Sequence, residues 1–351
     1  MKQALNRILV LALLSFAFAA RGQDRETLTV GTATAARGKT AKGWIEVSSG
    51  SDAALRIPVA VVHGARPGPV LALVAGSHGT EYASIVALSD LIGALDPGPM
   101  SGSVIIVPIV NMPSFDRVVP HLNPVDGKNM NRTYPGRADG TQSERASLAI
   151  TKQVVEQCDH LIDFHGGDLD EDLRPYSYWT KTGHEPQDGI SRELVLAFGL
   201  DHIIVSTGRP EDPNASIYLE NTASTRGKPS ITVEAGHAGT VTPEDVDALV
   251  RGTLSVMRHL KMLPGASTPV ENPVWIGSLQ NVAADAGGIF RPLVARGTYV
   301  QKGMKVGIVT DFFGQTVSEA RAPESGIVLF VRAVPSAVKG DTLASIGVVV
   351  E

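Results

Sequence analysis

Four apolar runs of strand length, each rich in β-branched residues and each broken off at a polar side chain, leave this chain few ways to fold. Val70-Leu-Ala-Leu-Val-Ala75 passes through Gly76-Ser77 to His78 and, three residues on, Glu81. Ser103-Val-Ile-Ile-Val-Pro-Ile-Val110 stops at Asn111, His160-Leu-Ile-Asp-Phe164 at His165, and Ser230-Ile-Thr-Val233 at Glu234. Runs this apolar on both alternate faces read as strands covered on two sides. Helical spacing separates them: Ile85, Leu88, Leu91, Ile92 and Leu95; a segment from about Ser143 to Gln157; another near Ile190 to Phe198. The last begins at Thr242, with Pro243 in its first position and Val246, Leu249, Val250, Met257 and Leu260 on one face. Strands alternating with helices imply an α/β fold, a mostly parallel mixed sheet flanked by helices. Its strands then share a carboxyl edge, where ligands bind.

The 351 residues suffice for two domains. Lys2 and Arg7 precede the apolar run Ile8 to Ala20, which closes in small residues, so residues 1–22 read as a secretory signal peptide. An uncleaved anchor is the other reading, but the run is short for a membrane span. The mature protein is expected to be exported, periplasmic or secreted, without a later span. Residues 23–266 form the α/β unit. From 267 to 351, short β-type runs alternate with Gly-containing turns, an all-β domain of barrel-sandwich type. A net charge of −5 without a long basic run argues against nucleic acid as a partner. Cys158 is the only cysteine and reads as a buried thiol.

Local signals add detail. Pro58 suggests that the strand Leu55 to Val62 lies at a sheet edge. Thr80 is a plausible N-cap, which puts Glu81 in the first helical turn. Met112 to Gly140 reads as one long loop with a dense polar centre, and Asp168 to Asp188 as a second irregular stretch. The acidic run Asp168, Asp170, Glu171, Asp172 reads as a solvated loop.

The residues collected at the sheet edge suit a catalytic zinc. His78, Glu81 and His165 make a two-His, one-carboxylate set that leaves a fourth position for water. Zinc lowers the pKa of bound water to roughly 7. Glu234 is the spare carboxylate needed as general base and proton shuttle. Asp163, two residues before His165 on the same strand face, can orient that ligand. His63, His121, His160, His184, His202, His237 and His259 read as ordinary core or surface histidines.

Four motifs now stand in order: Gly76-Ser-His78-Gly-Thr-Glu81, Asp126-Gly-Lys-Asn-Met-Asn131-Arg132-Thr-Tyr-Pro-Gly136, Asp163-Phe-His165-Gly-Gly167 and Thr232-Val-Glu234-Ala-Gly236. In them the chain resembles the succinylglutamate desuccinylase/aspartoacylase family, a deacylase branch of the zinc-carboxypeptidase fold. The resemblance spans about residues 70 to 240, and the β-rich end also matches that family. It implies one Zn2+ on His78, Glu81 and His165, with Glu234 acting on the water. It implies that Asn131 and Arg132 hold a substrate carboxylate, a role the planar guanidinium fork suits. It also assigns the family's carbonyl-polarising arginine to Arg117, the nearest one upstream of that pair. Asn129-Met-Asn131-Arg132 replaces the family's commoner Asp-Leu-Asn-Arg, changing the charge beside the clamp.

The expected function is zinc-dependent hydrolysis of the amide bond of an N-acyl amino acid or similar small carboxylate, by water that Glu234 deprotonates. A carboxypeptidase acting on short or cell-wall peptides would use the same zinc set. A non-catalytic carboxylate-binding protein has no need of both a ligand set and a spare base. Met304-Lys305 looks like the lysine pair of a biotinyl or lipoyl carrier, but Lys305 runs straight into a strand rather than sitting on a turn. The β-rich end therefore reads as a structural or substrate-gating cap.

Overall fold

The computed structural model describes residues 25–350; the leader expected at 1–22 lies outside them. Strands β1 (Thr27–Val30) and β2 (Ala33–Ala36) form a small hairpin. There follow β3 (Lys39–Val47), β4 (Leu55–His63), β5 (Arg66–Ala75), helix α1 (Tyr82–Ala94), β6 (Ser101–Val107) and the short helix α2 (Met112–Arg117). After a 3-10 turn at Met130–Arg132 come α3 (Gln142–Ile150), extended by a π-helical turn, and β7 (His160–His165). Next are β8 (Glu171–Leu173), β9 (Tyr176–Thr180), α4 (Gln187–Phe198), β10 (His202–Ser206), α5 (Leu219–Ser224), β11 (Ser230–Glu234) and α6 (Pro243–His259). The remainder is all strand: β12 (Val274–Ala283), β13 (Gly288–Pro292), β14 (Tyr299–Val300), β15 (Lys305–Thr310), β16 (Thr316–Arg321), β17 (Gly326–Arg332), β18 (Ser336–Ala337) and β19 (Thr342–Val350).

One large mixed sheet organises the molecule, in the order β14-β17-β19-β12-β10-β9-β11-β7-β5-β6-β4-β3, with β8 added beside β17. Its centre, β11-β7-β5-β6, is parallel. Alternate residues of β5 serve two apolar layers. Leu71 and Leu73 meet α1, α4 and α6, while Val70, Ala72 and Val74 meet α3, α5 and the β1–β2 hairpin. This two-sided burial is why the central runs carry no polar alternation. On α6, Leu249 and Met257 are fully buried and Val246, Val250 and Leu260 pack beside them.

Strands β12, β19, β17 and β14 continue the large sheet through the parallel β10–β12 pair. With the four-stranded sheet β16-β15-β13-β18 they enclose a separate core that includes Phe290, Val309, Val328 and Ile346. Lys305 opens β15 and is ion-paired to Glu319 on β16, a structural position.

Several local expectations are corrected. β4 is not an edge strand, since β3 flanks it on one side and β6 on the other. Pro58 is tolerated because the β6 ladder begins only at Ala60. The segment from Met112 opens as helix α2, and Asp168–Asp188 contains β8 and β9. Thr80 does not cap α1. That position falls to Glu81, and the Thr80 hydroxyl donates instead to Asp168. Cys158 is buried as read, its thiol pushed up to about 12 by burial. Among the described residues no helix is long and apolar enough to cross a membrane.

Candidate active site

The carboxyl edge of β5, β7 and β11 brings the expected residues together. In register, Ala75 lies opposite Phe164 and Glu234 opposite His165. Gly76 turns the chain out of β5 with φ +69°, where a Cβ would stand 2.8 Å from Ile109 Cα, so the approach needs glycine. The turn delivers His78 and then Glu81, whose two carboxylate oxygens face two imidazoles. His78 Nδ1 is 2.6 Å from Oε1, and His165 Nδ1 is 2.9 Å from Oε2. Burial alone would raise the Glu81 carboxyl, but the His78 and His165 imidazoles override it and hold it at about 2. Glu81 is only 3% exposed, so its charge is shielded from bulk water, while His78 is partly exposed at the cavity.

Donor atoms of His78, Glu81 and His165 lie within 4.8 Å of one another, a cluster able to hold a metal ion. A second observation fits that use. If His165 Nδ1 faces a metal, its Nε2 carries hydrogen and needs an acceptor. Asp163 Oδ1 is buried without a hydrogen-bond partner and stands 3.3 Å from that Nε2. For His78, Asn129 Oδ1 sits 3.1 Å from Nε2. Two imidazoles, one carboxylate and acceptors behind the rings are a donor set that suits zinc.

These residues line a cavity of about 400 Å³, shared with Glu234. Burial raises the Glu234 carboxyl well above its usual range; His165 pulls it down, while Glu81, Glu171 and Asp163 push it further up. Asn131 is buried in the lining. Its Oδ1 accepts from Leu219 N at 3.0 Å, while its Nδ2 is 3.1 Å from His165 Nε2; a hydrogen bond donated there and a proton on Nε2 are alternatives, set by the tautomer of His165. Arg132 also lines the cavity, its guanidinium 4.5 Å from the Tyr218 ring centre.

Two expected members are not brought in. Arg117, the last residue of α2, is exposed and outside the lining. Asn111 ends its run as the N-cap of α2, accepting from Ser114 N at 3.2 Å and donating to Ser77 O. Others were missed. His121, read as ordinary, stands in the lining, edge-on to His78 with ring centres 6.2 Å apart. Its hydrogen bond to Asp170 raises it to about 9 against its burial. The acidic run is not a solvated loop: Asp168 is 0% exposed and accepts from Thr80 and from the His121 amide, and Asp170, Glu171 and Asp172 are half-buried. Glu171 is raised by burial to about 7. Tyr176 and Tyr178 of β9, opposite Glu234 and Thr232, line the cavity too. So do Glu220 and Arg209, the latter 4.1 Å from the same Tyr218 ring that Arg132 meets. The alternating aromatics in Tyr176-Ser-Tyr-Trp-Thr180 were the available signal for β9. Arg209 and Glu220 carried no local signal.

A mixed sheet with a parallel centre, and this cluster at the carboxyl edge of that centre opening into a cavity of about 400 Å³, has the form of an enzyme site for small substrates. Comparison with known proteins narrows the class. The sequence model of the succinylglutamate desuccinylase/aspartoacylase catalytic domain matches residues 67–260. The N-alpha-acetyl-L-2,4-diaminobutyric acid deacetylase of Halomonas elongata is 31% identical over 305 residues, covering 85% of this chain and 87% of that protein. The product-bound ectoine utilization protein EutE (DoeB) of Ruegeria pomeroyi superposes with a TM-score of 0.79 at 26% identity, over 88% of this chain and 95% of that one. A succinylglutamate desuccinylase from Silicibacter sp. TM1040 gives 0.79 at 25% identity, over 89% and 95%. The chain belongs to the succinylglutamate desuccinylase/aspartoacylase family, and it is an enzyme that hydrolyses C–N amide bonds.

Proposed function

We propose that this protein is an exported zinc-dependent deacylase of N-acyl amino acids. The observation that carries the reading is the pairing of two carboxylates with opposite surroundings in one cavity. Glu81 lies between two imidazoles, at 2.6 Å from His78 Nδ1 and 2.9 Å from His165 Nδ1, while Glu234 lines the same cavity opposite His165 in the β7–β11 register. Environments that separate two carboxyls in this way mark different roles. The Halomonas relative, by name an N-acetyl amino-acid deacetylase, supports deacylation of an amino acid over cleavage between two amino acids.

His78, Glu81 and His165 would hold the zinc, and with His165 Nδ1 on the metal Asp163 would accept from its Nε2–H. Zinc bound there supplies Lewis acidity for the scissile carbonyl and acidifies water. Glu234 takes a proton from the attacking water as the new C–O bond forms. When the C–N bond breaks, Glu234 returns that proton to the leaving nitrogen, giving a free carboxylic acid and a free amino acid. Asn131 and Arg132 hold the amino-acid carboxylate. Arg117 takes no part, because it does not reach the cavity.

Replacing Glu234 by Gln keeps shape and removes the base, so turnover should fall by at least about 1,000-fold with zinc content unchanged. The assay is a panel of N-acetyl amino acids beside dipeptides. Wild-type rates in the variant, or turnover of dipeptides alone, would contradict the reading. Export rests on Lys2, Arg7 and the run Ile8 to Ala20. N-terminal sequencing of the protein from cell fractions tests it, and a retained Met1 in the cytoplasmic fraction would refute it.

A further inference from the structure

The cavity is lined unevenly, and the unevenness bears on which acyl groups it takes. Arg132 and Arg209, both against Tyr218, form a basic end. The β-rich end of the chain supplies a different wall, with Leu279 of β12 and Leu329 and Phe330 of β17. Leu173 of β8 joins them, lying opposite Phe330 in the β8–β17 register. This wall is the open side of a packed cluster. Leu173, Tyr176, Ile204, Ile276, Ile327 and Leu329 are buried together, with Leu279 and Phe330 half-exposed against them. The neighbouring polar groups are partly turned on each other, since Ser345 Oγ donates to Asn281 Oδ1 at 2.7 Å.

The wall is also fixed relative to the chemistry. Only residues 166–170 separate His165, at the end of β7, from β8, and β8 is hydrogen-bonded into β17. An N-acyl amino acid has two sides about its amide. With the amino-acid carboxylate at Asn131 and Arg132, the acyl chain extends to the remaining lining. A two-carbon acetyl group would leave Leu279 and Phe330 facing water inside a 400 Å³ cavity.

We infer that the β-rich end forms an apolar acyl subsite, and that the enzyme prefers N-acyl amino acids with aliphatic acyl chains longer than acetyl. The inference rests on the deacylase reading and names the substrate class of that site. Leu279 and Phe330 are its specificity-determining residues.

The test is kcat/KM for the N-acetyl, N-butanoyl and N-hexanoyl derivatives of whichever amino acid turns over best, in wild type, Leu279→Trp and Phe330→Ala. A second series holds acetyl constant and lengthens the amino-acid side chain. Wild-type kcat/KM should rise by about fourfold per added methylene along the acyl series until the subsite is full. Leu279→Trp fills the subsite and should lower the hexanoyl-to-acetyl ratio by about tenfold or more. Phe330→Ala removes apolar contact and should lower the same ratio. Because the readout is a ratio within each protein, a variant of reduced overall stability still reports it. An acyl series that is flat or falling in wild type, ratios unchanged in both variants, or a rise confined to the side-chain series would overturn the subsite and leave the deacylase reading standing. No turnover of any acyl amino acid by zinc-loaded wild type would overturn both.

Discussion

Glu81 occupies the N-cap position of α1 yet makes no capping hydrogen bond. Its oxygens are committed to His78 and His165, and Ser84 Oγ returns to the Glu81 carbonyl. The helix start is thus used to fix a carboxylate between two imidazoles rather than to close a helix. That is where the reading from sequence erred by one position, since Thr80 looked like the better cap and is spent on Asp168. The metal-competent set was legible because each member follows a strand whose end is visible in the residues. Arg117 was not legible. Distance along the chain says nothing about direction, and α2 leaves that side chain exposed and outside the cavity lining. His160 makes a separate prediction at this scale. Burial lowers it from the usual 6.5 to about 4, and its Nδ1 has no partner. The unfolded chain therefore binds this proton more tightly than the folded one. The stability difference is absent above about pH 6.5 and grows as pH falls toward 4, reaching about 3 kcal/mol. His160→Gln should flatten the acid limb of the stability-against-pH curve between those values. An unchanged acid limb would refute it.

At the scale of elements, α3 begins with a reciprocal cap. Glu144 Oε2 accepts from Thr141 N at 2.8 Å, and Lys128 is 3.0 Å from the same oxygen. The Thr141 amide foremost, then Lys128, hold Glu144 at about 2 despite some desolvation. Its contribution is present above the ordinary carboxylate range and is lost as pH falls toward 2. Glu144→Ala should lower unfolding free energy at neutral pH by about 1 kcal/mol, read from denaturant titration. No change would show that the cap carries no energy. Elements also mark where sequence patterning ran out. Long apolar strands and capped helices were readable from periodicity. β8 has three residues and owes its existence to β17, more than 150 positions later, so nothing local announces it. β9 was concealed by Arg174-Pro175 before it and Lys181 to Glu185 after it, although its aromatics fit a strand.

At the scale of the whole molecule, the β-rich end is joined to the site rather than appended to it. Its strands extend the central sheet, its residues line the cavity, and it grips the segment that follows His165. The Ala333 amide donates to Asp170 O at 2.8 Å. Arg332 stands 3.4 Å from the Asp170 carboxylate and 3.2 Å from that of Asp341. Asp170 in turn holds His121 in the cavity wall. Arg332→Met should therefore destabilise the fold by about 1–3 kcal/mol and speed amide exchange across residues 169–173. Exchange there at the wild-type rate would separate the two regions. The sequence showed that a β-rich unit follows the α/β unit. That the two share one sheet and one cavity depends on pairings between distant strands.

The central claim is that three side chains from two strand ends hold a catalytic metal, and metal content measured beside hydrolysis tests it most directly. Purified wild type and His165→Ala are stripped, reconstituted with zinc and assayed on the same N-acyl amino acids. The account predicts one tightly held zinc per wild-type chain, activity that returns with it, and loss of both in His165→Ala. A wild type that holds no zinc after reconstitution, or that hydrolyses its substrate at full rate without metal, would contradict it.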